Sequence, residues 1–403
     1  MLKYTLGLSR RSLAVSALAN RPSGAPYPLN ALTDAIPIEE RVEKYGYAPD
    51  PHGPVYCTIP ATPGPGEHSS QCFLDPKVLK KLNNRPGFPR PPKPPRETPF
   101  RLRDCGAKGV GVFATRPIEQ GELLVDERPL LVTHIDTPVI VPREAGIETQ
   151  VEMKYRAKID GVGLMVARMP LDRRKAFMAL RNSSDEENPL LGILDTNSAD
   201  ISLDGVDGAY AMTCDRFSRI NHSCSPNCAA GFVEQSWSSR VTAVRDIAQD
   251  EELTITYVNP ASSVAARQKR IAGWQFICTC PACSDPASDA RRASIVRVDK
   301  QRMKLAMTFR NRATQRTKLA PELLKVAQRE LGLIETEGME AFPGYWMAMF
   351  DLVLAFYEMG DVEAAMEMAG RVARCSWMDE HDGGDVRRKM AAVARGEATQ
   401  MLS

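Results

Sequence analysis

Two short stretches hold residue types that bind metals or build reactive sites: NHSCSPNC at 221–228 and CTCPAC at 278–283. Zinc favours four ligands in a tetrahedron, with thiolate sulfurs about 2.3 Å from the ion. CTCPAC supplies three, Cys278, Cys280 and Cys283, on a loop short enough to wrap one face of the ion. The fourth must come from elsewhere, and NHSCSPNC offers Cys224 or Cys228. One ion held this way makes the two clusters halves of a single site and brings Asn221 and His222 beside it. Six of the ten cysteines cluster, whereas Cys57, Cys72, Cys105 and Cys375 stand alone. Without a secretory signal, C-x-C-x2-C spacing points to metal ligation in a reducing compartment rather than to a disulfide framework.

The order of motifs is informative. Gly109–Val110–Gly111 comes first, then Asn221–His222–Ser223–Cys224, then DEELTITY ending at Tyr257, then CTCPAC. Over roughly Pro99 to Pro286 the chain resembles a SET-domain protein-lysine methyltransferase, nearest to the SET-and-MYND branch and the fungal SET proteins similar to it. The resemblance implies an α+β fold of small antiparallel sheets around a knot-like crossing, with a helical insert and a zinc-binding loop after the SET domain. It also implies S-adenosyl-L-methionine as methyl donor and a protein substrate with an exposed lysine, a histone or another protein. Within it Cys224 becomes the fourth zinc ligand, Tyr257 the catalytic tyrosine, and Asn221 and His222 cofactor ligands. Lys108, Gly109, Val110, Gly111 and Val112 are expected to line the cofactor pocket, where missing Cβ atoms allow close backbone approach. Asn197 falls where relatives carry a cofactor-binding asparagine, and Trp274 and Phe276 where aromatic residues flank the adenine or the lysine channel. Asp250 stands where relatives carry glycine, and Met212, Cys214 and Asp215 where they are apolar.

Such a site needs no strong nucleophile. Lysine, with an ordinary pKa near ~10.4, must be presented neutral and in line with the methyl group. A narrow, partly dry channel favours the neutral amine, and a tyrosine hydroxyl with backbone carbonyls supplies alignment and polarisation. The rival reading from another class is a catalytically inactive SET scaffold that binds other proteins. A zinc-dependent nucleic-acid module is disfavoured, because paired C-x2-C knuckles are lacking and the net charge is only +2.

The elements that must position these residues follow from patterning. From Phe100, short β-rich runs broken by Gly and Pro predict several antiparallel strands, and such runs return between Gly231 and Val258 around a turn at Gln249–Asp250. The SET region is bounded at 99–260, with a helical insert at about 142–188 in which Asp172 caps, or Pro170 opens, the helix holding Phe177 and Leu180. The insert contains no cysteine, so no MYND zinc module is expected there. Residues 261–286 form the zinc loop, and 287–403 an α-helical region. In it WMAMFDLVLAFYEMGDVEAAMEMAGRVARC predicts two amphipathic helices joined at Met359–Gly360–Asp361, resembling one tetratricopeptide-type hairpin. The apolar positions Phe350, Leu354 and Tyr357 require cover. The basic run Arg291–Lys318 reads as a solvated helix face or as a surface for an acidic partner.

Residues 1–98 read as a proline-rich region without a core, with short helices possible at Ile36–Tyr45 and Pro76–Asn83. The first two dozen residues are basic and acid-free, which fits either a mitochondrial transit peptide or a basic tail. No apolar run approaches the roughly 18–20 residues needed to cross a bilayer. A soluble monomer in nucleus or cytoplasm is expected, with no membrane partner and no direct nucleic-acid binding.

Overall fold

The computed structural model describes residues 48–49, 52–106, 109–140, 142, 144–184, 186, 188–203, 206–375 and 383–397. The basic N-terminal stretch, the Ile36–Tyr45 helix and Lys108 lie outside the described residues. The chain forms two compact units.

One unit gathers the described residues up to Pro91, Arg128–Ser218 and Glu234–Trp237. Its five-stranded sheet runs Val55–Ile59, Ser70–Leu74, Leu131–His134, Val206–Thr213, Ala199–Leu203, antiparallel except for the parallel pairing of Ser70–Leu74 with Leu131–His134. The expectation that residues up to 98 lack a core is therefore corrected for 55–83. The prolines and glycines concentrate in the connection at 60–66 and leave VYCTI and SQCFL free of both. The helix Pro76–Asn83 follows, opened by the Asp75 carboxylate accepting from the Lys77 N–H at 2.7 Å, with Pro76 in the first turn. Leu74 and Leu82 are fully buried, each contributing about 1.5–3 kcal/mol. Deleting residues 1–95 thus removes two of the five strands rather than a spacer.

The helical insert resolves into Ile147–Arg168 and Leu171–Met178. Pro170 occupies the cap in extended geometry and Asp172 sits in the first turn, so proline opens this helix. Phe177 and Leu180 pack with Val162, Met165 and residues of the helix Pro189–Asn197 against Phe73 and Leu131. Met212 and Cys214 are buried, so these departures from an apolar pattern still fill core positions.

The other unit comprises Pro92–Glu127, Arg219–Val233 and the described residues from Ser238 onward. A four-stranded sheet runs Asn221–His222, Glu252–Ile255, Val110–Ala114, Phe100–Asp104. A three-stranded antiparallel sheet runs Cys228–Val233, Ser238–Ala243, Leu123–Glu127. The turn into Glu252–Ile255 places Asp250 at φ 64°, where glycine has no steric cost and aspartate is among the better-tolerated L-residues. Its N–H donates to Ala114 O at 3.0 Å, and its carboxylate meets Arg101 at 2.5 Å on the surface. Asp250→Gly is expected to leave stability within about 1 kcal/mol, backbone relief offsetting the exposed ion pair. Asp250→Val should cost about 1–2 kcal/mol. Thermal denaturation of the two variants against the parent checks both.

Among the described residues five α-helices follow the cysteine loop in sequence, Ser288–Asn311, Arg316–Glu337, Gly344–Glu358, Val362–Arg374 and Gly383–Ala394, each packed on the next. The hairpin expected at 359–361 forms there. Gly360 takes φ +81°, and the Asp361 carboxylate accepts from the Ala364 N–H at 3.1 Å. Phe350, Leu354 and Tyr357 pack against the helical core as their spacing requires.

The solvated reading of Arg291–Lys318 is corrected in part: Arg292 and Arg302 are fully buried. Arg302 meets Glu330, Asp351 and Asp299, each at 2.6 Å. Burial pushes the Glu330 and Asp351 carboxyls upward and Arg302 opposes it, so the guanidinium is what permits acids in this interior. Arg302→Met should destabilise the protein by about 3–5 kcal/mol, because it takes from buried Glu330 the cation that pairs with it and leaves Asp351 to the more distant Arg310 at 3.2 Å. Lys300→Ala, on the exposed side of the same helix, should stay within about 0.5 kcal/mol. Denaturant unfolding decides; equal effects from both would contradict the buried network. Among the described residues no helix is long and apolar enough to cross a membrane.

Candidate active site and cysteine centre

The strand Glu252–Ile255 is the axis of the site. It pairs antiparallel with Val110–Ala114 through Glu252 opposite Phe113 and Leu253 opposite Val112. On its other side it pairs in parallel with Asn221–His222, register Asn221 to Thr254 and His222 to Ile255. Leucine and isoleucine on its buried face anchor the strand, and the chain then leaves it through Thr256 and Tyr257. Residues more than thirty positions apart meet because a two-residue parallel bridge joins them.

Tyr257 is held at both ends. Its backbone N–H donates to His222 Nδ1 at 2.9 Å, and its hydroxyl donates to the Ile220 carbonyl at 2.6 Å. Its ring lies 5.2 Å from both the His222 and Trp274 rings, tilted to each. With Nδ1 accepting, the proton of His222 sits on Nε2, which faces Cys224 Sγ at 3.2 Å. Burial pushes this imidazole down to about 4, so it is neutral near pH 7 and acts as an N–H donor to sulfur. His222 therefore ties the tyrosine backbone to the cysteine cluster.

Asn221 donates its amide to Glu252 Oε1 at 2.7 Å and more weakly to Val110 O at 3.4 Å. Gly111 makes that possible, because a Cβ there would lie 2.7 Å from Glu252 Oε1 and 2.9 Å from Phe113 Cε2. Sheet packing thus favours glycine here, since a Cβ would press on the Phe113 ring and Cys105 Sγ as well as on the end of Glu252. Gly109 takes φ +75° in a turn closed by Cys105 N–H to Gly109 O at 2.7 Å. Val110 is 41% exposed, whereas Val112 is 1% exposed and faces the core, so its side chain presents no surface to a ligand. Asn197 belongs to the other unit and is buried at a helix end. Its amide nitrogen donates to Arg181 O at 2.6 Å and Ile193 O at 2.7 Å, which tethers the chain at this helix end.

Cys224, Cys278, Cys280 and Cys283 converge, all four Sγ atoms lying within 4.8 Å of one another. A tetrahedron with Zn–S near 2.3 Å places its sulfurs about 3.8 Å apart, so the quartet fits zinc. Cys228 is absent from the group. It is buried in a strand opposite Ala243, its thiol pushed up to about 12 by burial. The second half of the quartet is shaped by a short helical turn, Pro281–Ser284, in which Cys283 N–H donates to Cys280 O at 2.9 Å. Gln268 clamps Cys278, donating to its carbonyl at 2.7 Å and accepting its N–H at 3.1 Å. Phe276 packs on the cluster and lies 6.2 Å from the His222 ring.

Two buried arginines flank the sulfurs. Arg267 donates to Ala282 O at 3.2 Å and approaches Cys283 Sγ at 3.8 Å. Arg292, from the first of the five C-terminal helices, donates to Cys224 O at 2.9 Å, Pro260 O at 2.6 Å and Ser225 Oγ at 2.8 Å, and pairs with Glu337 at 2.9 Å. The helical region thereby grips both the NHSC loop and the segment after Tyr257.

Sequence reasoning missed Glu252, Arg267, Arg292 and Asn227. Asn227, nearly fully buried, donates to Glu252 O at 2.8 Å and Glu251 Oε1 at 2.9 Å, and accepts from Thr254 N–H at 2.8 Å. It locks the NHSCSPNC loop onto the strand Glu252–Ile255. The signal was present for two of them: Asn227 and Glu252 lie inside the motifs themselves, beside residues with more conspicuous chemistry.

Residues 109–258 match the SET domain family, and this region of the chain is a SET domain. Over parts of its length the chain is similar to fungal proteins named histone-lysine N-methyltransferase SET5. It is 41% identical over 78 residues to the one from Meyerozyma guilliermondii, covering 19% of this chain and 16% of that protein. With histone-lysine N-methyltransferase set5 of Schizosaccharomyces pombe it is 29% identical over 213 residues, covering 50% of this chain and 57% of that one. The matched spans thus cover less than two thirds of these relatives' own lengths. A solved structure described as ctPRC2 in an autoinhibited conformation bound to S-adenosylmethionine aligns with 76% of this chain and 32% of its own at 13% identity and TM-score 0.22, too low to carry an argument.

Proposed function

We propose that the protein is an S-adenosylmethionine-dependent protein-lysine N-methyltransferase with one structural zinc. The observation that carries this reading is the Tyr257 hydroxyl held 2.6 Å from the Ile220 carbonyl, next to Asn221–His222 and inside the SET-domain match. When bound, S-adenosylmethionine supplies a methyl group on a sulfonium. The chain's own residues then have three tasks. The rings of Tyr257, Trp274 and His222 wall the site and exclude water, which lowers the cost of presenting lysine as a neutral amine. The Tyr257 hydroxyl and the Ile220 carbonyl form a fixed dipolar pair that orients the amine and accepts weak C–H···O contacts. Gly109, Val110, Asn221 and the backbone of His222 hold the cofactor, with Trp274 and Phe276 flanking it. Both His222 ring nitrogens are engaged already.

In this reading zinc is bound by Cys224, Cys278, Cys280 and Cys283, with Arg267 beside the Cys283 sulfur offsetting part of the negative thiolate shell and Arg292 holding the Cys224 carbonyl. It holds the loop bearing Phe276 and takes no part in the transfer. The substrate is a protein with an exposed lysine, histones included, since the matched relatives carry histone-lysine methyltransferase names. That favours a nuclear or cytoplasmic site of action; nothing in the comparisons supports mitochondrial import. Calorimetry with S-adenosylmethionine and S-adenosylhomocysteine tests the cofactor assignment. Saturable one-to-one binding is expected, weakened by Asn221→Ala. No binding of either compound would leave an inactive scaffold as the better description.

A further inference from the structure

The hairpin joining Val55–Ile59 to Ser70–Leu74 carries two cysteines that the site above does not use. Cys57 and Cys72 are directly opposed in the antiparallel ladder. The register is corroborated by both flanking pairs: Tyr56 stacks on Phe73 with ring centroids 4.5 Å apart, and Thr58 Oγ1 donates to Gln71 Oε1 at 3.2 Å. Side chains alternate along a strand, so those two pairs share one face and the cysteines meet on the other. Opposed residues in a ladder have Cα atoms about 4.5–5.5 Å apart, inside the range a disulfide spans. The two cysteines differ in environment. Val55–Ile59 is the edge strand of its sheet, and Cys57 is only half-buried, whereas Cys72 is fully buried. The neighbouring Cys72 draws the Cys57 thiol below its ordinary range, while burial raises Cys72, whose own thiol donates to Ser70 O at 3.6 Å. An accessible thiol of enhanced acidity beside a protected second thiol is the arrangement of a peroxidatic and a resolving cysteine.

We propose that Cys57 and Cys72 form a peroxide-reactive dithiol that closes to a cross-strand disulfide. The Cys57 thiolate attacks one peroxide oxygen, the O–O bond breaks, and the departing hydroxide takes up a proton to leave as water. Cys57 is then a sulfenic acid, oxidised by two electrons. The Cys72 sulfur attacks the Cys57 sulfur, forming the S–S bond, and the sulfenic hydroxyl leaves with the Cys72 proton as a second water. In total two thiols and one hydrogen peroxide give one disulfide and two waters. The product ties an edge strand covalently to its neighbour, and a dithiol reductant reverses it.

The test uses the full-length, metal-loaded protein under native conditions. It is exposed to limiting hydrogen peroxide, quenched with an alkylating agent, digested without reduction and read by mass spectrometry. The expected result is a Cys57–Cys72 linked peptide two hydrogens lighter than its parts, reversed by dithiothreitol. Cys57 should lose alkylation at least about tenfold faster than Cys228 or Cys375, whose buried thiols are both pushed up to about 12. In Cys72→Ala the expected product is a dimedone-trappable sulfenic acid at Cys57, and in Cys57→Ser no link and an unreactive Cys72. Cys72→Val serves in place of Cys72→Ala should the smaller side chain impair folding, as judged by circular dichroism. A parent protein in which Cys57 remains fully alkylatable, pairs with a different cysteine, or proceeds to sulfinic acid as fast as in Cys72→Ala would overturn the proposal.

Discussion

Replacing Tyr257 by Phe should slow single-turnover methyl transfer by about 10²-fold or more, the typical loss for a positioned catalytic group. Phenylalanine keeps the ring between His222 and Trp274 and deletes only the hydroxyl that donates to Ile220 O. The Tyr257 N–H to His222 bond is a backbone contact and survives the change. Losing one hydrogen bond costs about 0.5–1.5 kcal/mol of stability, so fold and zinc content should persist. Cofactor affinity should move much less than the rate, because Asn221 and the Gly109–Val110 backbone are untouched. The control is Tyr210→Phe, which removes a hydroxyl that accepts from the Asp75 N–H in the other unit. A Tyr257→Phe rate within a few-fold of the parent, or an equal loss in Tyr210→Phe, would remove Tyr257 from the chemistry.

The second large effect concerns the metal. Purified protein should hold one zinc per chain, and Cys224→Ser should lose most of it, while Cys228→Ser retains it. Three ligands in one loop still hold the ion weakly, so the affinity should fall by at least about 10–100-fold. The consequences should extend beyond the loop. Cys224 accepts from His222, His222 accepts from the Tyr257 backbone, and Arg292 grips the Cys224 carbonyl. Metal loss should therefore lower cofactor binding and raise proteolytic cleavage at 272–284 together. Metal analysis, calorimetry and limited proteolysis on the three proteins check this. Full zinc in Cys224→Ser, or its loss in Cys228→Ser alone, would show that the quartet is misassigned.

The chemistry was legible where it is concentrated in a few adjacent residues. CTCPAC carries its meaning in local spacing, and the fold brings Cys224 to its three cysteines, whereas the roles of Asn221, His222 and Tyr257 are what the family resemblance implies. Asp250 was legible as an anomaly and acquired its reason only from φ +64°. The failures share a physical cause, namely partners distant in sequence. Arg302 reads as one more charge on a solvated helix until Glu330 and Asp351, 28 and 49 residues away, are folded against it. Arg292 likewise depends on Glu337, 45 residues on. VYCTI and SQCFL are ordinary strands hidden by the prolines around them, and the pairing of SQCFL with Leu131–His134 lies beyond any local pattern. Asn197 has a tethering role that position alone does not disclose, its amide nitrogen donating to two backbone carbonyls.

The central claim is that the Tyr257–Ile220 pair serves methyl transfer to lysine. Its most direct test supplies the purified protein with methyl-labelled S-adenosylmethionine, a histone mixture and whole-cell protein extract, then hydrolyses the products and identifies every labelled amino acid by mass spectrometry. The account predicts label in Nε-methylated lysine, dependent on the parent protein and nearly absent with Tyr257→Phe. Label in arginine or another residue, equal labelling by the two proteins, or no transfer from a protein that binds the cofactor would contradict it.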